Sequence, residues 1–586
     1  MRSALAVTLL LLCSFALAQD DKPQPPSNVD LIWAAKIPMR DGVHLNATIY
    51  KPHDQQEKLP AIFTLTPYIS DSYHERAMYF SQHGYVFLLV DVRGRGNSEG
   101  NFDPFMQEPK DGHDVVEWIA QQPWCNGKVA MWGGSYAGFD QWMTLRERPP
   151  HLATIVPAAA AHAGVDFPMF SGIFALYDMQ WLTFTSGHTG QANLFGESPF
   201  WISKWRELYL QHLPFSQLDK LVGNPSPIFQ TWISHPTPDA HWQQLALTPD
   251  DYKSISLPIL TITGDYDGDQ PGAMTYYRNH MKYGSDQAKA NHFLIIGPWD
   301  HAGTRTPKKE VGGLTFGDAS VLDLNDLHRQ WYDFAMKSGP KPAFLKKRVA
   351  YYVVGADVWK YADSLDSVSN ATQTFYLTSA DGHPNDVFHA GTLSENKPTN
   401  GSDNYVYDPL DTRFADLEKQ DVANYLTDQR YQLNLFGDGL VYTSAPFAEP
   451  TEVSGFAKLI AYIAMDVLDT DFEATLYEVM PDGASIQLTS DSLRARYRDS
   501  ATEPKFAKPG EINRYEFSGF TWFSRRIANG SRLRLVLTSP NSIYVEKNYN
   551  SGGNVEQESG KDARTAHIAL YHDVAHPSAL EIPIVK

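Results

Sequence analysis

The sequence has little cysteine, a shortage of positive charge and no recognisable metal-binding motif. Only two of its 586 residues are cysteines, and Lys and Arg number 49 against 68 Asp and Glu, which gives a formal net charge of −19. This charge argues against nucleic acid or an anionic membrane surface as a partner, and we interpret it as a source of solubility. No H-E-x-x-H sequence or paired-cysteine spacing is present, so we predict no catalytic zinc and no other cofactor.

Long apolar runs are also missing, except near the amino terminus. Residues 1–18 have a positive start at Arg2, a short apolar core over residues 5–12 and a small-residue Ala-Leu-Ala site over residues 16–18. The core is too short to span a bilayer, and the three features together predict a secretory signal. Residues 19–28 are rich in proline and predict a flexible leader.

Removal of this signal has two consequences for the mature protein. We expect it to be secreted or periplasmic, without membrane attachment after cleavage. Cys13 is removed with the signal, and the bulky Leu12 before it disfavours a lipoprotein anchor. The remaining Cys125 cannot form an intrachain disulfide, so the fold must be stabilised by its hydrophobic core.

The most informative stretch is residues 128–138, with the sequence KVAMWGGSYAG. An apolar run leads into Gly-Gly-Ser, and a helical pattern follows. A serine on a sharp strand-to-helix turn exposes its Oγ, and small neighbours such as Gly133 and Ala137 let the two backbones approach. The pattern is G-x-S-x-A-G rather than G-x-S-x-G, and an ordinary glycine-rich strand-to-helix turn remains the alternative.

Strands and helices alternate on both sides of this stretch, which predicts a mostly parallel sheet covered on both faces. A turn at residues 40–42 predicts a hairpin between the first two strands. We assign residues 29–160 and 257–345 to this α/β domain. Its predicted elements are strands over residues 31–37, 45–50, 61–65, 85–90, 152–156, 259–263 and 293–296, and a helix over residues 111–121.

Residues 161–256 lack the alternating pattern. Stretches at 170–177, 201–213 and 228–242 predict helices, and we interpret the segment as a helical cap inserted over the serine. Alternatively, these helices simply cover one face of the sheet.

Residues 346–586 predict a separate all-β domain, a sandwich or jelly roll, because helical patterns nearly vanish and Asp/Gly turns separate the apolar runs. Its predicted strands cover residues 349–354, 374–377, 459–465, 473–479, 514–517 and 532–538.

Two strands after the serine end in residues that fit a catalytic role. Residues 259–264 run into Asp265-Tyr266-Asp267, and residues 293–299 run into Asp300-His301. A serine needs a base, and the base needs an acid, in the chain order Ser, Asp, His for this type of sheet. A calcium loop starting at Asp265 is excluded because its sixth and twelfth positions are Gln and Tyr.

Together these stretches resemble the cocaine-esterase-like and X-Pro dipeptidyl-peptidase group of serine hydrolases, which includes the α-amino-acid ester hydrolases. The resemblance implies an α/β-hydrolase domain, a helical cap and a C-terminal jelly roll of the galactose-binding-like type. The stretches that carry it are residues 66–68 (TPY), 91–98 (DVRGRGNS), 133–138 (GGSYAG), 266–268 (YDG), 297–301 (GPWDH), 469–472 (DTDF) and 493–497 (LRARY).

The resemblance also implies site residues. It assigns Ser135 as the nucleophile, Asp267 as the acid and His301 as the base. It makes the Tyr68 hydroxyl one oxyanion donor, with the backbone N–H of Tyr136 as the second. We interpret Asp91 and Arg93 as structural.

Substrate choice stays open at this point. The α-amino-acid ester hydrolases hold the substrate amine with carboxylates, and Asp269 occupies one matching position. Gln270 stands where a second carboxylate is expected, and Asp166 and Asp178 are candidates for a third.

Three classes of function compete. The first is a secreted serine esterase or amidase acting on small acyl compounds, and the second is an enzyme that releases X-Pro dipeptides or cleaves α-amino esters. The third is a non-enzymatic protein whose jelly roll binds carbohydrate. The expected partner is a small ester, amide or short peptide, and homo-oligomerisation is left open.

Overall fold

The computed structural model describes residues 27–586. The predicted signal and most of the predicted leader lie outside that range. Within it, no helix is long and apolar enough to cross a membrane.

A ten-stranded sheet forms the centre of the first domain, with strand order β1-β2-β4-β3-β5-β6-β9-β10-β13-β14. Its first part consists of β1 (Val29–Pro38), β2 (His44–Pro52), β3 (Leu59–Thr66), α1 (His74–Gln82), β4 (Val86–Asp91), α2 (Glu108–Ala120), β5 (Cys125–Ser135), α3 (Tyr136–Arg146) and β6 (Leu152–Ala160). After an insertion it continues with β9 (Ile259–Tyr266), α11 (Gln270–Tyr283), α12 (Asp286–Ala290), β10 (His292–Asp300), β11 (Glu310–Val311), β12 (Leu314–Thr315), α13 (Leu324–Lys337), β13 (Val349–Val353) and β14 (Val358–Ala362).

The strands from β4 to β13 are parallel, whereas β1 and β2 at one edge and β14 at the other are antiparallel. Both faces of the central strands are covered: α1 and α13 pack on one face, while α2 and α3 pack on the other. This explains the unbroken apolar runs, since every residue of β4 is buried. The predicted hairpin is confirmed as β1 and β2.

The insertion between β6 and β9 is mainly helical. It comprises the short strands β7 (Met169–Phe170) and β8 (Ile173–Phe174), and the helices α4 (Tyr177–Phe184), α5 (Ala192–Phe195), α6 (Ser198–Leu210), α7 (Leu218–Leu221), α8 (Pro227–Ile233), α9 (Ala240–Gln243) and α10 (Pro249–Ser254).

Two helix predictions in this insertion are wrong in detail. Residues 170–174 belong instead to the β7–β8 hairpin, because Ser171 and Gly172 adopt positive φ angles of 52° and 78° and reverse the chain, and α4 begins only at Tyr177. The helix predicted over residues 228–242 is split into α8 and α9, since prolines at positions 236 and 238 interrupt the backbone hydrogen bonding that a helix requires.

The C-terminal region is all-β, with an apolar core of its own. Its strands are β15 (Ala371–Thr378), β16 (Gly391–Ser394), β17 (Ser402–Tyr407), β18 (Gly439–Ser444), β19 (Thr451–Gly455), β20 (Lys458–Met465), β21 (Asp471–Val479), β22 (Ser485–Arg494), β23 (Asn513–Phe517), β24 (Phe523–Ile527), β25 (Arg532–Thr538), β26 (Ala566–Tyr571) and β27 (Ala579–Val585). Five of the six strands predicted there lie in this sheet system.

The sixth strand, predicted over residues 349–354, belongs to the other domain. It is β13, which pairs in parallel with β10 through Leu294 and Val349, and β14 then pairs with β13. By strand pairing, the first sheet therefore extends to Ala362, beyond the predicted boundary at residue 346. All five residues of β13 are buried, but an apolar run does not indicate which sheet will bury it.

The all-β domain also contacts the insertion. Ala175 forms a β-bridge with Val545. The N–H of Leu176 donates to the Tyr544 carbonyl at 3.0 Å, and the N–H of Glu546 donates to the Phe174 carbonyl at 2.9 Å. A C-terminal segment thus extends the β7–β8 hairpin above the first sheet.

Candidate active site

Ser135 is the last residue of β5 and lies on a strained turn before α3. Its φ is +64° with ψ −127°, a region that non-glycine residues seldom adopt and that is associated with functional sites. A Cβ on Gly133 would lie 2.6 Å from the Ala137 Cβ, and one on Gly138 would lie 2.9 Å from the Ala158 carbonyl oxygen. The glycines of this stretch are therefore required by close packing of strand and helix.

Tyr68 follows β3, which is adjacent to β5 in the sheet. Its hydroxyl lies 3.1 Å from Ser135 Oγ and accepts a hydrogen bond from Trp181 Nε1 at 3.2 Å. An indole N–H can only donate, so the proton of the Tyr68 hydroxyl stays free to point toward Ser135. Burial raises the pKa of Tyr68 well above its usual range, which keeps this phenol a donor.

His301 and Asp267 follow the neighbouring strands β10 and β9. His301 Nδ1 lies 2.8 Å from Asp267 Oδ1, which also accepts the backbone N–H of Asp269 at 3.0 Å. Burial alone would lower the pKa of His301, but the Asp269 charge and the Asp267 hydrogen bond raise it overall. Because Nδ1 of His301 is hydrogen-bonded to Asp267, Nε2 is the ring nitrogen that remains for a second partner.

Tyr136 is the first residue of α3, so its backbone N–H is one of those that have no partner within the helix. The Tyr136 side chain is not part of the proposed oxyanion site, because its hydroxyl is already hydrogen-bonded elsewhere. The hydroxyl donates to Glu108 Oε1 at 2.6 Å and accepts the Phe105 N–H at 2.5 Å.

Asp269 lies beside the imidazole, with Oδ2 3.8 Å from His301 Nδ1. Burial raises the pKa of the Asp269 carboxyl to about 6, with His301 opposing and Asp267 adding to the rise. Asp166 lines the same cavity and accepts backbone N–H groups from His162 at 2.8 Å and Gly272 at 2.6 Å. Burial raises the pKa of Asp166 well above its usual range, and Asp269 contributes to that rise.

Gln270 stands where a second carboxylate is expected, but it forms hydrogen bonds with backbone groups rather than with Asp166 or Asp269. Its Nε2 donates to the carbonyls of Gly264 at 2.9 Å and Trp522 at 3.0 Å, and its Oε1 accepts the Trp522 N–H at 2.6 Å. It therefore joins the acid loop to the all-β domain.

Asp91 and Arg93 hold the turn after β4. Asp91 Oδ1 accepts the Ser70 N–H at 2.7 Å, and Arg93 forms ion pairs with Asp111 and Asp41. These contacts agree with the structural role predicted for both residues.

The predicted site residues other than Asp267 line one cavity of about 440 Å³. Asp267 lies directly behind His301, and its side chain is fully buried. Two further groups were missed by sequence reasoning. One is the set of aromatic side chains that line the cavity from the insertion, Phe167, Phe170, Tyr177 and Trp181; the other is Ser492 and Val545 from the all-β domain. No local signal marks the last two, because they reach the cavity only through domain packing. The lining residues are Tyr68, Phe105, Ser135, Tyr136, Ala161, Asp166, Phe167, Pro168, Phe170, Ile173, Ala175, Tyr177, Asp178, Trp181, Gly268, Asp269, His301, Ser492 and Val545.

A parallel sheet with a strained serine turn, a helical insertion and an added all-β domain defines a class, the α/β-hydrolase-fold serine hydrolases. The family described as X-Pro dipeptidyl-peptidase (S15 family) matches residues 41–303, and its C-terminal non-catalytic domain matches residues 343–581. The chain therefore belongs to the X-Pro dipeptidyl-peptidase and cocaine-esterase family of serine hydrolases.

Individual relatives agree with this assignment. Cocaine esterase of Rhodococcus sp. (strain MB1 Bresler) is 27% identical over 94% of this chain and 98% of its own length. An α-amino acid ester hydrolase structure matches with a TM-score of 0.81 and 22% identity, covering 97% of this chain and 100% of the other. An aminopeptidase from a marine sediment Thaumarchaeota archaeon matches with a TM-score of 0.79 and 22% identity, covering 97% and 99%. At these identities the two structures support the fold alone.

Proposed function

We propose that the protein hydrolyses ester or amide bonds of small acyl and aminoacyl compounds through an acyl-enzyme on Ser135. The observation that carries this proposal is the position of the half-buried Ser135 on a strained turn, 3.1 Å from a phenol donor, in the cavity that also contains the Asp267-bound His301. Acyl transfer requires a nucleophile, a base, an acid and an oxyanion donor, and these contacts support Ser135, His301, Asp267 and Tyr68 in those roles.

In the first step Ser135 Oγ attacks the carbonyl carbon while His301 Nε2 takes the hydroxyl proton. The oxyanion that forms accepts hydrogen bonds from the Tyr68 hydroxyl and the Tyr136 N–H. Its collapse breaks the bond to the alcohol or amine, which leaves with the proton from His301. Water then gives a proton to His301 and attacks the acyl-Ser135 ester. The bond from the acyl carbon to Ser135 Oγ breaks, His301 returns the proton to Oγ, and the acid is released.

We further propose that substrates with a free α-amine are preferred. Asp269 and Asp166 line the cavity next to the reacting groups, and a carboxylate attracts an ammonium group more strongly in a partly dry site than in water. Release of X-Pro dipeptides, supported by the family description, is the second candidate.

A labelled fluorophosphonate tests the nucleophile. We expect one label per chain, mapped by peptide mass spectrometry to the peptide containing Ser135. Hydrolysis of a plain ester, its α-amino analogue and an Ala-Pro amide then ranks the candidates. A folded protein that takes no label and hydrolyses none of the three would contradict the proposal and favour a binding protein.

Secretion is a separate proposal, based on the signal features of residues 1–18. Expression of the full chain should yield a periplasmic or extracellular protein whose first residue is Gln19. A mature protein that keeps residue 2 would contradict it. Native mass measurement of the same sample gives the oligomeric state.

A further inference from the structure

Asp178 is a buried acid in the cavity wall that the proposed reaction does not use. It is the second residue of α4, it is 1% exposed, and it lines the cavity. Among the residues that the structure describes, neither of its carboxyl oxygens has a hydrogen-bond partner. A buried polar group without a partner is unfavourable and therefore rare, and at a cavity wall it marks where a ligand group can supply the missing bond.

The charged group that acts on Asp178 is another acid, Glu546. Burial raises the pKa of the Asp178 carboxyl well above its usual range; Glu546 adds to the rise, and the backbone N–H of Ala175, which forms no well-aligned hydrogen bond with the carboxyl, opposes it. Arg494 is bound to Asp471 at 2.9 Å and to Glu546 at 2.7 Å. Glu546 Oε2 also lacks a partner within the described range.

Asp178 is distinct from the acids near the reacting groups. Asp269 contacts His301, and Asp166 accepts the backbone N–H groups of His162 and of Gly272. Asp178 lies instead close to Ala175, which pairs with Val545 of the all-β domain. The cavity thus has acidic groups at the site of bond cleavage and again at the contact between insertion and all-β domain.

We propose that Asp178 binds an N–H donor, an amine or amide, at the end of the substrate's acyl side chain. The inference rests on the proposed function, since it concerns the cavity that contains Ser135. The preferred substrates are then acyl or aminoacyl compounds whose side chain carries a terminal nitrogen, rather than compounds with a purely apolar side chain. A site built to hydrogen-bond a substrate group discriminates strongly against an analogue that lacks it.

The test compares ethyl esters of lysine and glutamine with those of norleucine and norvaline, in wild type and in two variants. In wild type we expect kcat/KM to favour each nitrogen-bearing ester over its apolar counterpart, on the order of tenfold or more. In Asp178→Leu the nitrogen-bearing esters lose their acceptor, while the rates for the norleucine and norvaline esters are kept or increased. The ratio should therefore fall to about one. Asp140→Asn is the matched control, because Asp140 is also buried without a partner in the described chain but does not line the cavity; its ratio should equal that of wild type.

Thermal unfolding provides a second readout. Asp178→Leu should raise Tm, because it replaces an unsatisfied buried carboxyl with an apolar side chain of similar size; a purely structural aspartate would give a lower Tm. Fluorophosphonate labelling of Ser135 should persist in both variants, so loss of labelling in wild type would mark failure of the proposed function instead. Equal wild-type rates for the paired esters, or an unchanged ratio in Asp178→Leu, would overturn the inference.

Discussion

The cavity has two ends that the chain builds in different ways. The end that we propose for the reaction, called the reacting end here, consists of Ser135, Tyr68 and His301, all placed at the carboxyl ends of parallel strands of one sheet. The β-domain end consists of Asp178, Ser492 and Val545, which come from the insertion and from the all-β domain. Strand ends of a parallel sheet converge by geometry, whereas the second end depends on how two domains pack. The groups at the reacting end are thus positioned by the strands of one sheet, whereas the shape of the other end of the cavity depends on contacts between residues far apart in the chain.

The largest expected effect is on the reacting end. Ser135→Ala removes the nucleophile and should reduce kcat by about 10⁶, because triad residues act as a unit. Turnover of a chromogenic ester measures the loss, and circular dichroism checks that the fold is kept. A variant that retained a tenth of wild-type activity would remove Ser135 from this role.

Tyr68→Phe removes one donor and keeps the ring. The loss should be about 10²–10³ in kcat, with KM little changed, because the oxyanion exists only along the reaction path. Steady-state kinetics on one ester separates the two constants.

The control for this prediction is Trp181→Phe, which deletes the N–H that donates to the Tyr68 hydroxyl. Alone it should lower kcat by a smaller factor, but in the Tyr68→Phe background it should have no further effect. Full additivity of the two losses would show that the indole does not act through the phenol.

At the β-domain end the expected effect is on stability rather than chemistry. Arg494→Met leaves the buried carboxyls of Asp471 and Glu546 without their cation, which should cost about 3–5 kcal/mol of unfolding free energy. Urea denaturation measures it, while Ser135 labelling of the folded variant should persist. Arg413→Met is the matched control, because its ion pair with Asp411 is exposed and should contribute about 1 kcal/mol or less. Equal losses in the two variants would contradict the prediction.

The smallest expected effect concerns Asp269→Asn. The variant should lose part of the preference for an α-amino ester over its des-amino analogue. Because the Asp269 charge raises the pKa of His301 and catalysis needs the neutral imidazole, the acid limb of kcat/KM should also move to lower pH. Rates for both esters across pH test both effects. Equal wild-type rates for the two esters, or an unmoved limb in the variant, would contradict the respective role.

The strand ends that carry a candidate acid and a candidate base could be anticipated because their apolar runs are visible in the sequence, whereas the choice of Asp267 and of Tyr68 came from the family resemblance. The insertion was harder to predict. Residues 170–177 are aromatic and favour a helix by composition, but a turn at Ser171 lets Phe170 pair with Ile173 in a hairpin, and Val545 then bridges Ala175. Likewise, β13 has the pattern of any buried strand, and only its pairing with β10 assigns it to the first sheet.

By itself the sequence determined the α/β class, the serine turn, the chain order of the site residues and the presence of a C-terminal all-β domain. These follow from local patterns: hydrophobic periodicity, glycine placement and polar residues at strand ends. Only the tertiary structure decided that Gln270 faces the all-β domain, that Trp181 donates to Tyr68, and that Asp178 is buried in the cavity without a partner. Such contacts join residues far apart in the chain, so no local pattern can specify them; they result from the packing of the sheet, the insertion and the all-β domain against one another.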